Sequence, residues 1–189
     1  LHPRVRRQRQ MCIRDRLKTT TDDSKKEDRG QALGMRAFAY LTLVQMYQHT
    51  YAGHENAPAV PIVLETTEPD VLSNNPRASV KEVYDLIEKD LVQAHSDLSS
   101  YQRLNSTYID QTVISGLLAR MYLLKEDWTN AAKYAKEAGA SYGAPADKAE
   151  LIDEGYIDMN KHHTWMFTSH ITTDAEIVQT GIVLSLIHI

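Results

Sequence analysis

Apolar residues recur every three to four positions in four separate stretches of the sequence, and each stretch predicts a helix. In SKKEDRGQALGMRAFAYLTLVQMYQ (residues 24–48), Leu33, Ala37, Tyr40, Leu41, Val44 and then Tyr47 or Gln48 follow the spacing of one helix face. Gly30 and Gly34 each cost this helix about 1 kcal/mol against alanine, and small residues there permit a close helix crossing. The helix is expected to end near residues 49–53, with Gly53 as a left-handed cap. A second stripe, Val80, Val83, Tyr84, Ile87, Leu91, Ala94 and Leu98, has the clearest start in the chain. Ser79 is an N-cap candidate and Glu82 stands three residues on, the spacing of a capping box. Its charges Lys81, Glu82, Asp85, Glu88, Lys89 and Asp90 lie off the stripe, so this face reads as solvated.

The remaining two helices are close neighbours. One is expected over residues 110–125, the other from its N-cap Asp127 to about residue 138, with Gly139, Gly143 and Pro145 ending the pair. Between the first and second helices, residues 53–78 carry Pro58, Pro61, Pro69 and Pro76, which exclude a continuous helix. Residues 60–64 fit an extended edge segment, since Pro61 is unsuited to a central strand. Beyond Pro145 the pattern weakens. DMNKHHTWMFTSHI (residues 158–171) mixes aromatic and polar residues and reads as irregular, with a candidate strand near residues 165–168.

Composition sets outer limits on this picture. With 42% hydrophobic and 24% charged residues among 189, the chain is of the globular type rather than the disordered one. No run of about 18 apolar residues is present to span a bilayer. A single cysteine, Cys12, excludes an internal disulfide framework and a cysteine-based zinc cluster. The net charge of −4 hides an asymmetry, because residues 1–16 hold six arginines and one acid and leave −9 on the rest. This basic arm lacks the apolar core of a signal peptide. MCIRDR near the start and SLIHI at the end look like translated adapter sequence. Residues 1–16 and 184–189 are therefore expected to be non-native, flanking a partial domain over residues 17–183.

The last helix pair, LLARMYLLKEDWTNAAKYAKEA (residues 117–138), has the positional chemistry of a helical-hairpin repeat. Ala119, Tyr122, Trp128, Ala131 and Ala138 stand at the small, aromatic, aromatic, small and small positions of a tetratricopeptide unit. Ala135 departs from the pattern where a large aromatic is usual, as does Glu126 in a turn that commonly holds glycine. On this reading Ala119 and Ala131 let the helices close, while Tyr122 and Trp128 are buried between them. An ordinary antiparallel helix pair would give much of the same pattern.

The order of the segments carries a more specific resemblance. RAFAYLTLVQMY (residues 36–47), a proline-broken loop with VPIVLE (60–65), NNPRASVKEVYDLIEKDLVQA (74–94) and then the hairpin resemble the SusD/RagB family over about residues 24–170. KHHTWMFTSHITTDAE (161–176) is similar to a tryptophan-rich segment of that family. The resemblance implies an all-α fold, with tetratricopeptide-like helical hairpins and irregular loop insertions, forming part of a larger domain. It further implies a surface-exposed outer-membrane lipoprotein of Bacteroidetes, held by an N-terminal lipid anchor. Such a protein would capture glycan, oligosaccharide or peptide, without catalysis, for a TonB-dependent SusC-like transporter. Cys12 would not be the lipid-bearing residue, because no signal precedes it.

Glycan capture needs flat aromatic faces and polar groups for hydroxyls. The candidates are Tyr51, His54 and Asn56 in the insertion after the first helix, then Trp165 and His170, although Trp165 also fits core packing. The eight histidines show no HExxH or comparable metal spacing, so no metal and no cofactor are expected. No GxSxG, phosphate loop or selected carboxylate pair indicates an enzyme, and no nucleic-acid partner is expected. The alternative is a soluble tetratricopeptide-type scaffold for protein–protein interaction. It would repeat at about 34 residues, without the proline-rich insertion of residues 53–78.

Overall fold

A computed structural model of the chain describes residues 22–64, 74–141, 148 and 166–168. The end segments 1–16 and 184–189, Cys12, His162, His163, Trp165, His170, Gly143 and Pro145 lie outside the described residues. The described elements run α1 (Asp23–Tyr47), β1 (Pro58–Pro61), β2 (Arg77–Ser79), α2 (Val80–Asp97), α3 (Gln111–Leu124) and α4 (Trp128–Ala140). The chain divides into two compact units, Leu1–Arg103 with Ile109–Gly143, and Leu104–Tyr108 with Ala144–Ile189.

The first unit is built from two helix pairs, α1 on α2 and α3 on α4, joined through α2 against α3. Its core is the predicted stripe of α2, all of it buried, with Ala37, Tyr40, Leu41 and Val44 of α1 and Val113, Ile114, Leu118 and Met121 of α3. The glycines of α1 set how closely the helices approach. A Cβ on Gly30 would stand 2.7 Å from Leu98 Cγ, and one on Gly34 would stand 2.8 Å from Ile114 Cδ1.

Helix starts follow from side chains that satisfy free backbone amides. Ser79 Oγ accepts from Glu82 N at 3.2 Å, and Glu82 Oε2 accepts from Ser79 N at 2.7 Å, closing the capping box. Asp110 accepts from Val113 N and Asp127 from Asn130 N, as N-caps of α3 and α4. Gly53 does not cap α1. That helix stops at Tyr47, and Gly53 (φ 79°) lies in a separate turn where His54 N donates to Tyr51 O. Gly139 likewise lies inside α4, which ends at Ala140.

β1 and β2 form an antiparallel two-stranded sheet with an irregular register, Pro58 opposite Ser79 and Pro61 opposite Arg77. Two prolines without N–H groups keep β1 at an edge. Arg77 takes over as donor, its guanidinium reaching the carbonyls of Pro58 and Ala59. The Tyr40 hydroxyl accepts from Val63 N at 2.7 Å and so ties the following segment to α1.

Two readings of side-chain placement are overturned. Asp90 does not belong to a wet face: it is buried, because it pairs with Arg36 on α1. Trp128 is 63% exposed, because it opens α4 on the face shared by Ala132 and Ala135, which are also exposed. The face of α4 that meets the core carries Ala131 and Ala138 instead. Ala119 is only half-buried. Glu126, where glycine is usual, adopts φ 61°.

In the second unit, Thr168 N donates to Ser106 O at 3.0 Å, and the two hydroxyls stand 2.8 Å apart. Residues 166–168 form a bend rather than a strand, and residue 165 of the candidate strand lies outside the described residues. Among the described residues no helix is long and apolar enough to cross a membrane.

Candidate functional site

After α1, Gln48 turns extended (φ −143°, ψ 174°) and the chain enters a compact turn running from His49 into β1. Three of the five candidate residues, Tyr51, His54 and Asn56, fall on this turn. Its geometry is set by backbone bonds, His54 N to Tyr51 O at 3.0 Å and Ala57 N to His54 O at 2.9 Å. The turn is fastened to the start of α2, where Val80 N donates to Ala57 O and Lys81 N to Glu55 O. The Glu55 carboxylate is held below its ordinary range, first by its own backbone amide and then by that of Gly53.

Tyr51 is half-buried, and its ring packs edge-on against Tyr84 of α2, centroids 4.9 Å apart at 67°. On another side lies the Lys125 ammonium, 5.4 Å from the Tyr51 centroid. Lys125 reaches this position from the C-terminal cap of α3, just ahead of the left-handed Glu126. Tyr51 therefore joins three elements, and only part of its ring is left to meet a ligand. His54 and Asn56 are exposed. The His54 ring stacks on His49, also exposed, with centroids 4.9 Å apart at 21°, and its Nδ1 lies 3.2 Å from Ala52 O.

Lys125 continues into a chain of polar and aromatic contacts. Its ammonium pairs with Glu88 at 2.6 Å, and Glu88 also accepts from the Tyr122 hydroxyl at 2.9 Å. Burial, then Glu88, pushes the Tyr122 hydroxyl far above the ordinary tyrosine pKa. The Tyr122 ring stacks on Tyr134 at 5.7 Å, and His95 meets Tyr134 edge-on while pairing with Glu137 at 2.6 Å. Glu137 also accepts from Ser115 Oγ. These contacts engage Glu88 and Glu137 and brace the hairpin that carries Lys125.

The turn thus offers two stacked imidazoles, part of a tyrosine ring and the Asn56 amide, a set suited to the apolar face and the hydroxyls of a sugar ring. Trp165 lies outside the described residues. Sequence reading left His49 and Lys125 out of the candidate ligand contacts. His49 was legible, standing five residues before His54 in the same loop. Lys125 was not, because only the fold brings the hairpin turn over Tyr51. Among the described residues, no group of three or more His, Cys, Asp or Glu could hold a metal ion.

A family model for SusD-like proteins, described as starch-binding and associating with the outer membrane, matches residues 10–123. Among solved structures, a SusD-like carbohydrate-binding protein from Bacteroides vulgatus is 28% identical with a TM-score of 0.65, over 72% of this chain and 29% of its own. A SusD-like protein from Bacteroides fragilis shares the fold at 18% identity and a TM-score of 0.65, over 84% of this chain and 30% of its own. A laminarin-binding SusD-like protein also shares it, at 23% identity and a TM-score of 0.51, over 68% of this chain and 26% of its own. The chain thus spans about a third or less of the length of these structures. No curated protein matches it by sequence. Matched over more than half its residues, with the same all-α arrangement, the chain belongs to the SusD-like family.

Proposed function

We propose that this protein captures glycan at the outer-membrane surface, without catalysis, and passes it to a TonB-dependent SusC-like transporter. The observation that carries the reading is the family match over residues 10–123, whose description is starch-binding and association with the outer membrane. The similar Bacteroides vulgatus structure, described as carbohydrate-binding, supports the same ligand class. Membrane attachment would come from an N-terminal lipid anchor, as the resemblance implies. The turn at Tyr51, His54 and Asn56 is the proposed contact surface. His54 and Asn56 supply accessible polar groups, while Tyr51 contributes the part of its ring that Tyr84 and Lys125 leave uncovered.

The reading is tested with the purified protein on a glycan array, followed by titration calorimetry and analysis of the sugars after prolonged incubation. It expects at least one glycan to bind, His54→Ala and Asn56→Ala to weaken that binding at unchanged Tm, and the sugar to be recovered intact. Shortened oligosaccharides would overturn the non-catalytic reading, and failure to bind any glycan would overturn the ligand class. Co-purification with a transporter barrel from outer membranes tests the delivery step, and its absence after mild extraction counts against it.

A further inference from the structure

A lysine at a helix end ordinarily lays its stem along the protein and keeps its ammonium in water. Lys125, at the turn between α3 and α4, does otherwise. Its side chain is 17% exposed, and the ammonium stands 2.6 Å from Glu88 Oε2 on α2. The Tyr51 and Tyr122 ring centroids lie 5.4 and 5.9 Å away, both within reach of a cation–π contact. The ion pair by itself is a weak reason for this placement, because Glu88 is 32% exposed and water screens it. Tyr122 is no better reason, since it is buried, stacks on Tyr134 and donates to Glu88. Tyr51 is different. It belongs to a surface turn, is only half-buried, and packs edge-on against one fixed ring, the buried Tyr84. Lys125 adds a second hold on it, from an element outside the turn.

We infer that Lys125 is a positioning residue for glycan capture: held by Glu88, it fixes the Tyr51 ring against Tyr84 before a sugar arrives. A ring ordered in advance loses no rotamer freedom when a sugar stacks on it, and this raises affinity. The hold is electrostatic, between ammonium and ring, so it depends on the charge of the side chain and not on its bulk. The ammonium is already engaged by Glu88 and two rings, so the lysine acts through Tyr51 and not on the sugar directly. The inference rests on the glycan reading, with Tyr51 as a contact, and adds the α3–α4 hairpin to what sets the affinity of the turn.

The test compares the parent protein with Lys125→Met, Tyr51→Ala, the double variant and Lys125→Arg by titration calorimetry. Maltoheptaose, laminarihexaose and the tightest-binding glycan of the array serve as probes. All titrations are run well below the Tm of the least stable variant, so that only folded protein is compared. Lys125→Met keeps an apolar stem without the charge and should weaken binding by about threefold or more, the range of one cation–π contact. In the Tyr51→Ala background the same change should have no further effect. Lys125→Arg, which keeps a cation, should bind more tightly than Lys125→Met. Unchanged affinity in Lys125→Met, with Tyr51→Ala impaired, would overturn the inference and leave the glycan reading in place. Equal losses with and without Tyr51 would also overturn it, since the lysine would then act independently of that ring. So would an arginine variant no better than the methionine one, because charge would then play no part. If Tyr51→Ala binds normally while His54→Ala is impaired, the inference fails and the glycan reading stands. A parent protein that binds no glycan removes both.

Discussion

Arg36 of α1 grips Asp90 of α2 with two parallel hydrogen bonds, Nε to Oδ2 at 2.7 Å and Nη2 to Oδ1 at 2.8 Å. Arg29 holds Asp97 the same way, both contacts at 2.6 Å. The arginines stand seven residues apart, as do the aspartates in the opposite direction, which is two turns along an antiparallel pair. The two forks therefore agree on a single register for α1 against α2. Asp97 raises the Arg29 pKa chiefly through the hydrogen bond, opposed by burial. Planar, doubly bonded arginine–carboxylate pairs add direction as well as energy.

Breaking the inner fork should be costly, because the surviving charge stays at the interface. Asp90 is 4% exposed and Arg36 26%, so Asp90→Ala is expected to destabilise by about 3 kcal/mol, the lower end for a buried pair. The double change Arg36→Met with Asp90→Leu should recover most of that loss. Urea denaturation of both variants checks this. A neutral Asp90→Ala would show that the fork does not hold the helices.

At the glycines, helix propensity and packing oppose each other. Alanine gains about 1 kcal/mol in a helix interior. At Gly30 the new Cβ meets Leu98 Cγ at 2.7 Å and Asp97 Cβ at 3.2 Å, atoms near the backbone of a fully packed turn. Overpacking costs about 1–3 kcal/mol, so Gly30→Ala is expected to be net destabilising. At Gly34 the nearest atom is Ile114 Cδ1, the far end of a side chain that can rotate, so Gly34→Ala should come out near neutral. The two denaturation midpoints decide, and equal effects would mean that crossing distance is not set at Gly30.

The helices and the N-caps of α2 and α4 were legible because each depends on residues within one or two turns, whereas Gly53, read as the cap of α1, stands in a separate turn. Ser79 with Glu82, and Asp127, needed no knowledge of the fold, whereas the Asp110 cap of α3 came from the structure. Asp90 was misread since its partner Arg36 lies 54 residues away, and an acid on a helix resembles a solvated one until a facing arginine is in place. Of the candidate site, Tyr51, His54 and Asn56 were singled out as candidates from their loop, but the half-covering of Tyr51 by Tyr84 and Lys125 depends on three elements meeting. Trp128 shows the limit of a repeat pattern, which identifies a residue type at a position and not what covers it.

Exposure also reverses the expected weight of the two hairpin aromatics. Trp128→Ala should cost less than about 1 kcal/mol, as for other surface positions. Tyr122 is 8% exposed, stacks on Tyr134 and bonds Glu88, so Tyr122→Ala should cost about 3 kcal/mol. Thermal unfolding of the two variants gives the order directly. A larger loss at Trp128 would return that residue to a buried role.

Acid should weaken the fold through its capping carboxylates. The Ser79 backbone amide and then its hydroxyl lower the Glu82 pKa, and Asn130, by its side chain and then its amide, lowers that of Asp127. Glu137 is also lowered: burial acts against it, and His95 and Ser115 outweigh that effect. A carboxylate depressed in the folded state stabilises fully above its unfolded pKa, which is 4.5 for glutamate and 3.8 for aspartate. That contribution disappears as pH falls through the depressed folded value, because the unfolded chain takes up protons first. Tm should therefore hold near neutrality and drop on acidification below about pH 4.5. Glu82→Gln keeps a capping-box side chain without a titrating group, so its Tm should fall less steeply over that window. Parallel slopes for the variant and the parent would mean that the Glu82 carboxylate does not contribute to the acid sensitivity.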